Sequence, residues 1–137
     1  LYQILKMVAN EQSQRGMIVV VSDFFVDRDG LFRGLKLLRH RGHDVMLMHV
    51  LDDEELDFHY TGPTRFEGLE LPDQLNCNPR ALREGYLEAL NAYLDEVHRF
   101  CAQHLIDYQT IRTSEHLSAV LAHYVSHRVG TRQSVRQ

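Results

Sequence analysis

Met17-Ile18-Val19-Val20-Val21-Ser22-Asp23 is the stretch whose reading decides the fold. Five apolar residues, four of them β-branched, run without interruption and then stop at a serine and an aspartate. A half-buried strand would alternate apolar and polar residues. A continuous run fits a strand covered on both faces, as in a parallel sheet packed between helices. Gly16 bounds the run on one side and a polar turn on the other. In open α/β sheets the working site lies beyond the carboxyl ends of such strands, which is where Asp23 stands.

The flanking chain supports this. Leu1, Ile4, Leu5 and Val8 recur at helical spacing, predicting an amphipathic helix over residues 1–14. After Asp23 a second helix is expected, capped by Asp27 or Asp29, with Leu31, Phe32, Leu35 and Leu38 as its apolar stripe. Arg39, His40 and Arg41 suit the dipole of its last turn, and Gly42 ends it. Asp44 to Leu51, D-V-M-L-M-H-V-L, is a second nearly continuous apolar strand. Strand, helix, strand at this length is a βαβ unit with parallel strands.

Further on, residues 56–71 alternate about the turn Thr61-Gly62-Pro63-Thr64 and predict a β-hairpin insertion. Asn78-Pro79 starts a long helix whose apolar face takes Leu82, Tyr86, Leu90, Leu94, Val97, Cys101 and Leu105. Asp107 to Ile111 is a short third strand. A last helix follows, capped by Thr113 or Ser114, with Leu117, Val120, Leu121, Tyr124 and Val125 turned inward. Residues 129–137 read as a disordered polar tail. The expected fold is α/β and doubly wound, a mostly parallel sheet with helices on both faces and a hairpin insertion, in one domain over residues 1–128.

Composition narrows the function classes. The 137 residues carry 15 basic and 19 acidic side chains, a net charge of −4, which argues against a nucleic-acid surface. No apolar run approaches the length of a membrane helix, and no signal peptide is visible. Two cysteines, Cys77 and Cys101, form no CxxC, so a reducing cytoplasm is the expected compartment. The chain opens at Leu1 inside an apolar pattern, which predicts that residues precede it.

Several side-chain groups could carry chemistry. Asp23 at a strand end could hold Mg²⁺, directly or through water, or could cap the following turn. Asp52, Asp53, Glu54 and Glu55 follow the second strand and read either as a metal or phosphate site or as the acidic start of a helical turn. The nine histidines include His40 with His43 and His123 with His127, but no His-Glu-x-x-His, and are expected at the surface. His49, inside an apolar strand, is expected to be a satisfied core residue. The turn D-F-F-V-D-R-D-G lacks both glycine-rich nucleotide fingerprints, and G-x-S-x-G is absent. Tyr86, Tyr93 and Phe100, seven apart, read as a core stripe.

The segments R-G-M-I-V-V-V-S-D-F-F, R-G-H-D-V-M-L-M-H-V-L-D-D-E-E-L-D-F, G-P-T-R-F-E-G-L-E, A-L-R-E-G-Y-L-E-A-L and I-D-Y-Q-T-I-R-T-S-E together resemble the bacterial domain-of-unknown-function family fifty-eight. That family is similar to von Willebrand factor A domains, and its genes typically sit beside those of MoxR-type AAA+ ATPases. The resemblance implies a protein-interaction module in an assembly, chaperone or stress system, with no known catalytic activity of its own. It implies that this chain is the carboxyl half of the domain, with Asp23 as the third-loop aspartate of a metal-ion-dependent adhesion site whose other loops lie upstream. Mg²⁺ is then expected in the intact protein and not held tightly by this chain. Ser22, Asp23, Asp52 and Asp53 are the expected partner-binding residues. The alternative is a metal-dependent phosphatase or hydrolase using Asp23 with Asp52 or Asp53. The run Met17–Val21 has no Lys or Pro to guard an edge, so a homodimer through an open sheet edge is expected.

Overall fold

The computed structural model describes residues 1–59, 64–67, 74–77, 79–122, 124 and 126. Helix α1 (Tyr2–Glu11) leads into strand β1 (Met17–Ser22), helix α2 (Arg28–His40) and strand β2 (Asp44–Leu51). A short helix α3 (Asp53–Asp57), strands β3 (Thr64–Glu67) and β4 (Gln74–Cys77), the long helix α4 (Pro79–Gln103) and strand β5 (Asp107–Arg112) follow. Residues 117–122 are again helical. β1, β2 and β5 form one parallel sheet in the order β1-β2-β5, with Met17 aligned to Asp44 and Met46 to Asp107. The fold is therefore α/β with an open parallel sheet.

Parallel alignment puts paired residues on one face. On the first face Ile18, Val20, Val45, Leu47 and Tyr108 meet Leu5 and Ala9 of α1, Leu31, Leu35 and Leu38 of α2, and Val97, Phe100 and Cys101 of α4. Phe32 stacks on Phe100, ring centroids 4.0 Å apart. The helices α1 and α2 touch closely at Gly34, where a Cβ would stand 2.6 Å from Leu5 Cδ1 and 2.9 Å from Leu5 Cβ. Gly34→Ala is expected to cost about 1–3 kcal/mol, because overpacking outweighs the better helix propensity of alanine. Urea melts of Gly34→Ala with and without Leu5→Ala check this: the loss should shrink in the shortened background.

The second face is covered only in part. Met46, Met48 and Ile111 are buried beneath Val120 and Tyr124, so helical chain lies on both faces. Over β1 the same face is open. Met17, Val19 and Val21 are 46%, 44% and 59% exposed, which corrects the expectation of a strand buried on both sides. Only Ile18 and Val20 of its apolar run meet the helices; among the described strands β1 lies at the sheet's edge, and the packing on the second face stops at β2.

Other expectations shift for local reasons. The hairpin expected over residues 56–71 is displaced: β3 pairs antiparallel with β4, and Leu56 and Asp57 belong to α3. There the Asp52–Glu55 capping box outweighs the alternation of Leu56 to Tyr60. α4 ends before Leu105, which takes a left-handed φ of 55° and is 77% exposed instead of joining the apolar face; Leu82 is also exposed. Leu117 and Leu121 point to solvent, not inward, because Val120 and Tyr124 take the contact with the sheet. Neither Thr113 nor Ser114 adjoins the helical residues; Thr113 instead donates to Asp52. His43, expected at the surface, is 1% exposed and accepts the Gly16 N–H at 3.3 Å. Asn78, His123, His127 and the tail at 129–137 lie outside the described residues.

Candidate functional site

The loop joining β1 to α2 stands at the carboxyl edge of the sheet, and it is built from both sides. Ser22 Oγ accepts the Phe24 N–H at 3.1 Å and donates to Asp23 Oδ1 at 3.3 Å. Asp23 Oδ1 also accepts the Phe25 N–H at 3.2 Å. These short local bonds turn the chain so that Phe24 adopts a left-handed φ of 54°, uncommon for a bulky residue. Phe24 points inward and is fully buried, while Asp23, Phe25 and Val26 face solvent. Asp27 then caps α2 through the Gly30 N–H at 2.8 Å.

The core reaches up to hold this turn. His49 Nε2 donates to the Asp23 carbonyl at 2.7 Å, and Tyr93 Oη donates to the Phe24 carbonyl at 2.6 Å. A carbonyl only accepts, so Nε2 carries the proton and Nδ1 accepts from Tyr108 Oη, 2.8 Å away. His49 is fully buried, and burial lowers its pKa below the ordinary 6.5, as this neutral tautomer requires. Burial likewise pushes the Tyr93 hydroxyl up to about 12, keeping it a donor. Phe24 meets the His49 ring edge to face at 5.1 Å. The expected core role of His49 is correct, but the sequence carried no sign that it anchors the loop.

Beside the loop lies an open groove of about 500 Å³, lined by Phe24, Phe25, Val26, Tyr86, Leu90 and Tyr93 among others. Arg28 also lines it and pairs with Glu96 at 2.6 Å. Tyr93 and Phe100 join the core as expected, whereas Tyr86 serves this groove.

The acidic turn after β2 is engaged internally. Asp52 Oδ1 caps α3 through the Glu54 N–H at 2.9 Å, and Oδ2 accepts from Thr113 Oγ1 at 2.7 Å. Arg112 bridges Asp53 at 2.9 Å and Asp57 at 2.8 Å. Hydrogen bonds from Ser114 and Arg112 hold the Asp53 carboxyl below its usual range, and Arg112 does the same for Asp57. A carboxylate with a lowered folded pKa contributes stability above its unfolded pKa and loses it as pH falls through the folded value. Protection of the α3 amides should therefore fall below about pH 4 in the wild type, and Arg112→Met should weaken that dependence by releasing Asp57, while Ser114 still holds Asp53. Hydrogen exchange across pH 3 to 6 reads both.

A metal suggested by the acids does not fit what is described. Asp23 supplies one carboxylate, and among the described residues no group of three or more His, Cys, Asp or Glu is placed to hold an ion. Cys101 is buried and its thiol is pushed up to about 12, so it is an inert core residue.

An open parallel sheet with a braced loop and a groove at its carboxyl edge defines an α/β protein, a class in which ligands ordinarily bind beyond the carboxyl ends of the strands. Residues 1–94 match the model of the family described as "Protein of unknown function DUF58", and the chain belongs to that family. No curated protein and no solved structure matches it. Among the described residues no helix is long and apolar enough to cross a membrane.

Proposed function

We propose that this chain is a protein-interaction module, the carboxyl part of a von Willebrand factor A-like domain, and that it docks its partner at the β1–α2 loop. The partner class is a MoxR-type AAA+ ATPase, in a cytoplasmic assembly, chaperone or stress system. One observation carries the reading. The loop is clamped from below by His49 and Tyr93, yet it holds Asp23, Phe25 and Val26 out to solvent beside an apolar groove. A rigid aromatic anchor next to a preformed groove is how interface hot spots are built. In the intact protein Asp23 would add a carboxylate to a Mg²⁺ site completed by residues outside this chain.

The enzyme alternative is less well supported. It needs Asp52 or Asp53 available for chemistry, and both are already committed to α3, Thr113 and Arg112.

Binding of a purified MoxR-type AAA+ ATPase, measured by biolayer interferometry, tests the proposal. Phe25→Asp should weaken it by about tenfold or more, and Asp23→Asn less. Leu105→Asp, exposed elsewhere, should leave it unchanged. Absence of binding, or equal loss in Phe25→Asp and Leu105→Asp, would overturn the reading. Phosphatase activity with Mg²⁺ or Mn²⁺ that Asp23→Asn abolishes would favour the enzyme instead.

A further inference from the structure

The cations of this chain are unevenly placed. Acids outnumber bases by 19 to 15, yet α2 and its C-cap hold Arg28, Arg33, Lys36, Arg39 and Arg41 against Asp29 alone. Arg28 is paired with Glu96 and Arg39 with Asp44, and Lys36 lies over the Phe100 ring. Arg33 and Arg41 are left on the flank of α2 that faces α1.

α1 supplies the other wall of a furrow. Arg33 stands over the Tyr2 ring, 5.1 Å from its centroid, and Arg41 Nη2 donates to Asn10 Oδ1 at 3.3 Å. Tyr2, Lys6 and Asn10 follow at intervals of four and so share one stripe of α1. Lys6, midway along that stripe, therefore falls between Arg33 and Arg41. Arg15 closes the row, its Nε 2.9 Å from where a Cβ on Gly42 would stand. Lys6, Arg15, Arg33 and Arg41 are all exposed. Among the described residues none of the four has a carboxylate within 4.0 Å. Burying them under further chain would be costly without an equal set of acids, so the row faces either water or an acidic partner. Two of the guanidiniums are already held: Arg41 by Asn10, and Arg33 by Tyr2 and by the Asp29 carbonyl, to which its Nε donates at 3.2 Å. Each bond uses one nitrogen and leaves the others for a further acceptor, and a held side chain loses less freedom on binding.

We propose that this furrow docks an acidic segment of a partner protein, in extended form, with carboxylates at alternate positions. The spacing selects the form. From Arg33 to Arg41 the helix rises about 12 Å, with Lys6 roughly halfway. Side chains two apart on an extended segment share a face and stand about 6.6 Å apart, so three successive carboxylates meet Arg33, Lys6 and Arg41 in turn. Carboxylates at every third position alternate between faces and miss this match. A protein segment is favoured over nucleic acid because the row is short: beyond it the chain sets its remaining 11 bases against 19 acids, which repels a long polyanion. The furrow lies on the helical layer and not at the β1–α2 loop, so the inference does not rest on the ATPase reading and either stands if the other fails.

Titration of the isotopically labelled chain with a peptide of alternating serine and glutamate, followed through its amide chemical shifts, tests this. Shifts are expected along α1 and from Arg33 to Arg41. A peptide with the same number of glutamates at every third position should bind about fivefold more weakly. Arg41→Glu and Lys6→Glu should each weaken binding by about tenfold, whereas Arg99→Glu, the same charge change on an exposed part of α4, should cost less than about twofold. The same spectra show that each variant keeps its fold. Absence of shifts on the two helices, equal weakening by Arg41→Glu and Arg99→Glu, or indifference to glutamate spacing would overturn the proposal. So would tighter binding of a single-stranded RNA carrying the same number of charges.

Discussion

Phe24→Ala is expected to destabilise the protein by about 3–5 kcal/mol, the usual cost of emptying a buried aromatic site. Phe24 is fully buried, packs against the His49 ring, and supplies a wall of the groove. It does so from a left-handed backbone, φ 54°, which costs roughly 1–2 kcal/mol for a residue with a side chain. The bonds from Ser22 Oγ to its N–H and from Tyr93 Oη to its carbonyl hold it there. Two effects can therefore be separated. Phe24→Gly loses the same ring and relieves the backbone, so it should be more stable than Phe24→Ala by about 1 kcal/mol. Equilibrium urea unfolding of the three proteins decides: a glycine variant less stable than the alanine variant would mean that the backbone is not under strain.

The second large effect is expected at His49. Removing the imidazole leaves the Asp23 carbonyl and the Tyr108 hydroxyl without their partner, at about 1–3 kcal/mol each, in addition to the cavity. His49→Ala should therefore approach the cost of Phe24→Ala, and His49→Gln, whose amide both donates and accepts, should recover part of it. The pH dependence has a definite sign. Burial lowers the folded pKa of His49 below its ordinary 6.5. The unfolded chain then binds a proton that the folded chain refuses. His49 stabilises fully above pH 6.5, and its contribution is lost as pH falls from there toward the folded value. The slope reaches at most about 1.4 kcal/mol per pH unit. Stability measured from pH 5 to 8 should fall faster on acidification in the wild type than in His49→Gln. Identical slopes would show that His49 titrates alike in the folded and unfolded chains, and that its pKa is not lowered by burial.

Both predictions concern one small assembly whose parts differ in how they can be recognised from the chain. Ser22 and Asp23 are visible as the polar stop of an apolar run, and their mutual bonds span no more than two residues. Asp27, one of two candidate caps, proves to be the one that bonds Gly30. His49 and Tyr93 reach the same loop from 26 and 69 residues away, and nothing in their own neighbourhoods signals it. The acidic run after β2 shows the opposite case. Its helix-start reading was available locally, but Arg112, which occupies Asp53 and Asp57, comes from beyond α4.

The amino-acid order by itself determined the strands Met17–Ser22 and Asp44–Leu51, the helices around them and the α/β class. Apolar period, β-branching and capping residues act over a turn or two of chain, and their energy is present wherever the segment lies. The tertiary structure alone decided which face of β1 stays open, which backbone position carries a left-handed turn, and which buried side chains brace the loop. Each of these is set by atoms brought together from distant parts of the chain, so the same local residues would behave differently beside other neighbours. Val19 illustrates both: its β-branched side chain made a strand predictable, and its place at the sheet's edge left that side chain 44% exposed.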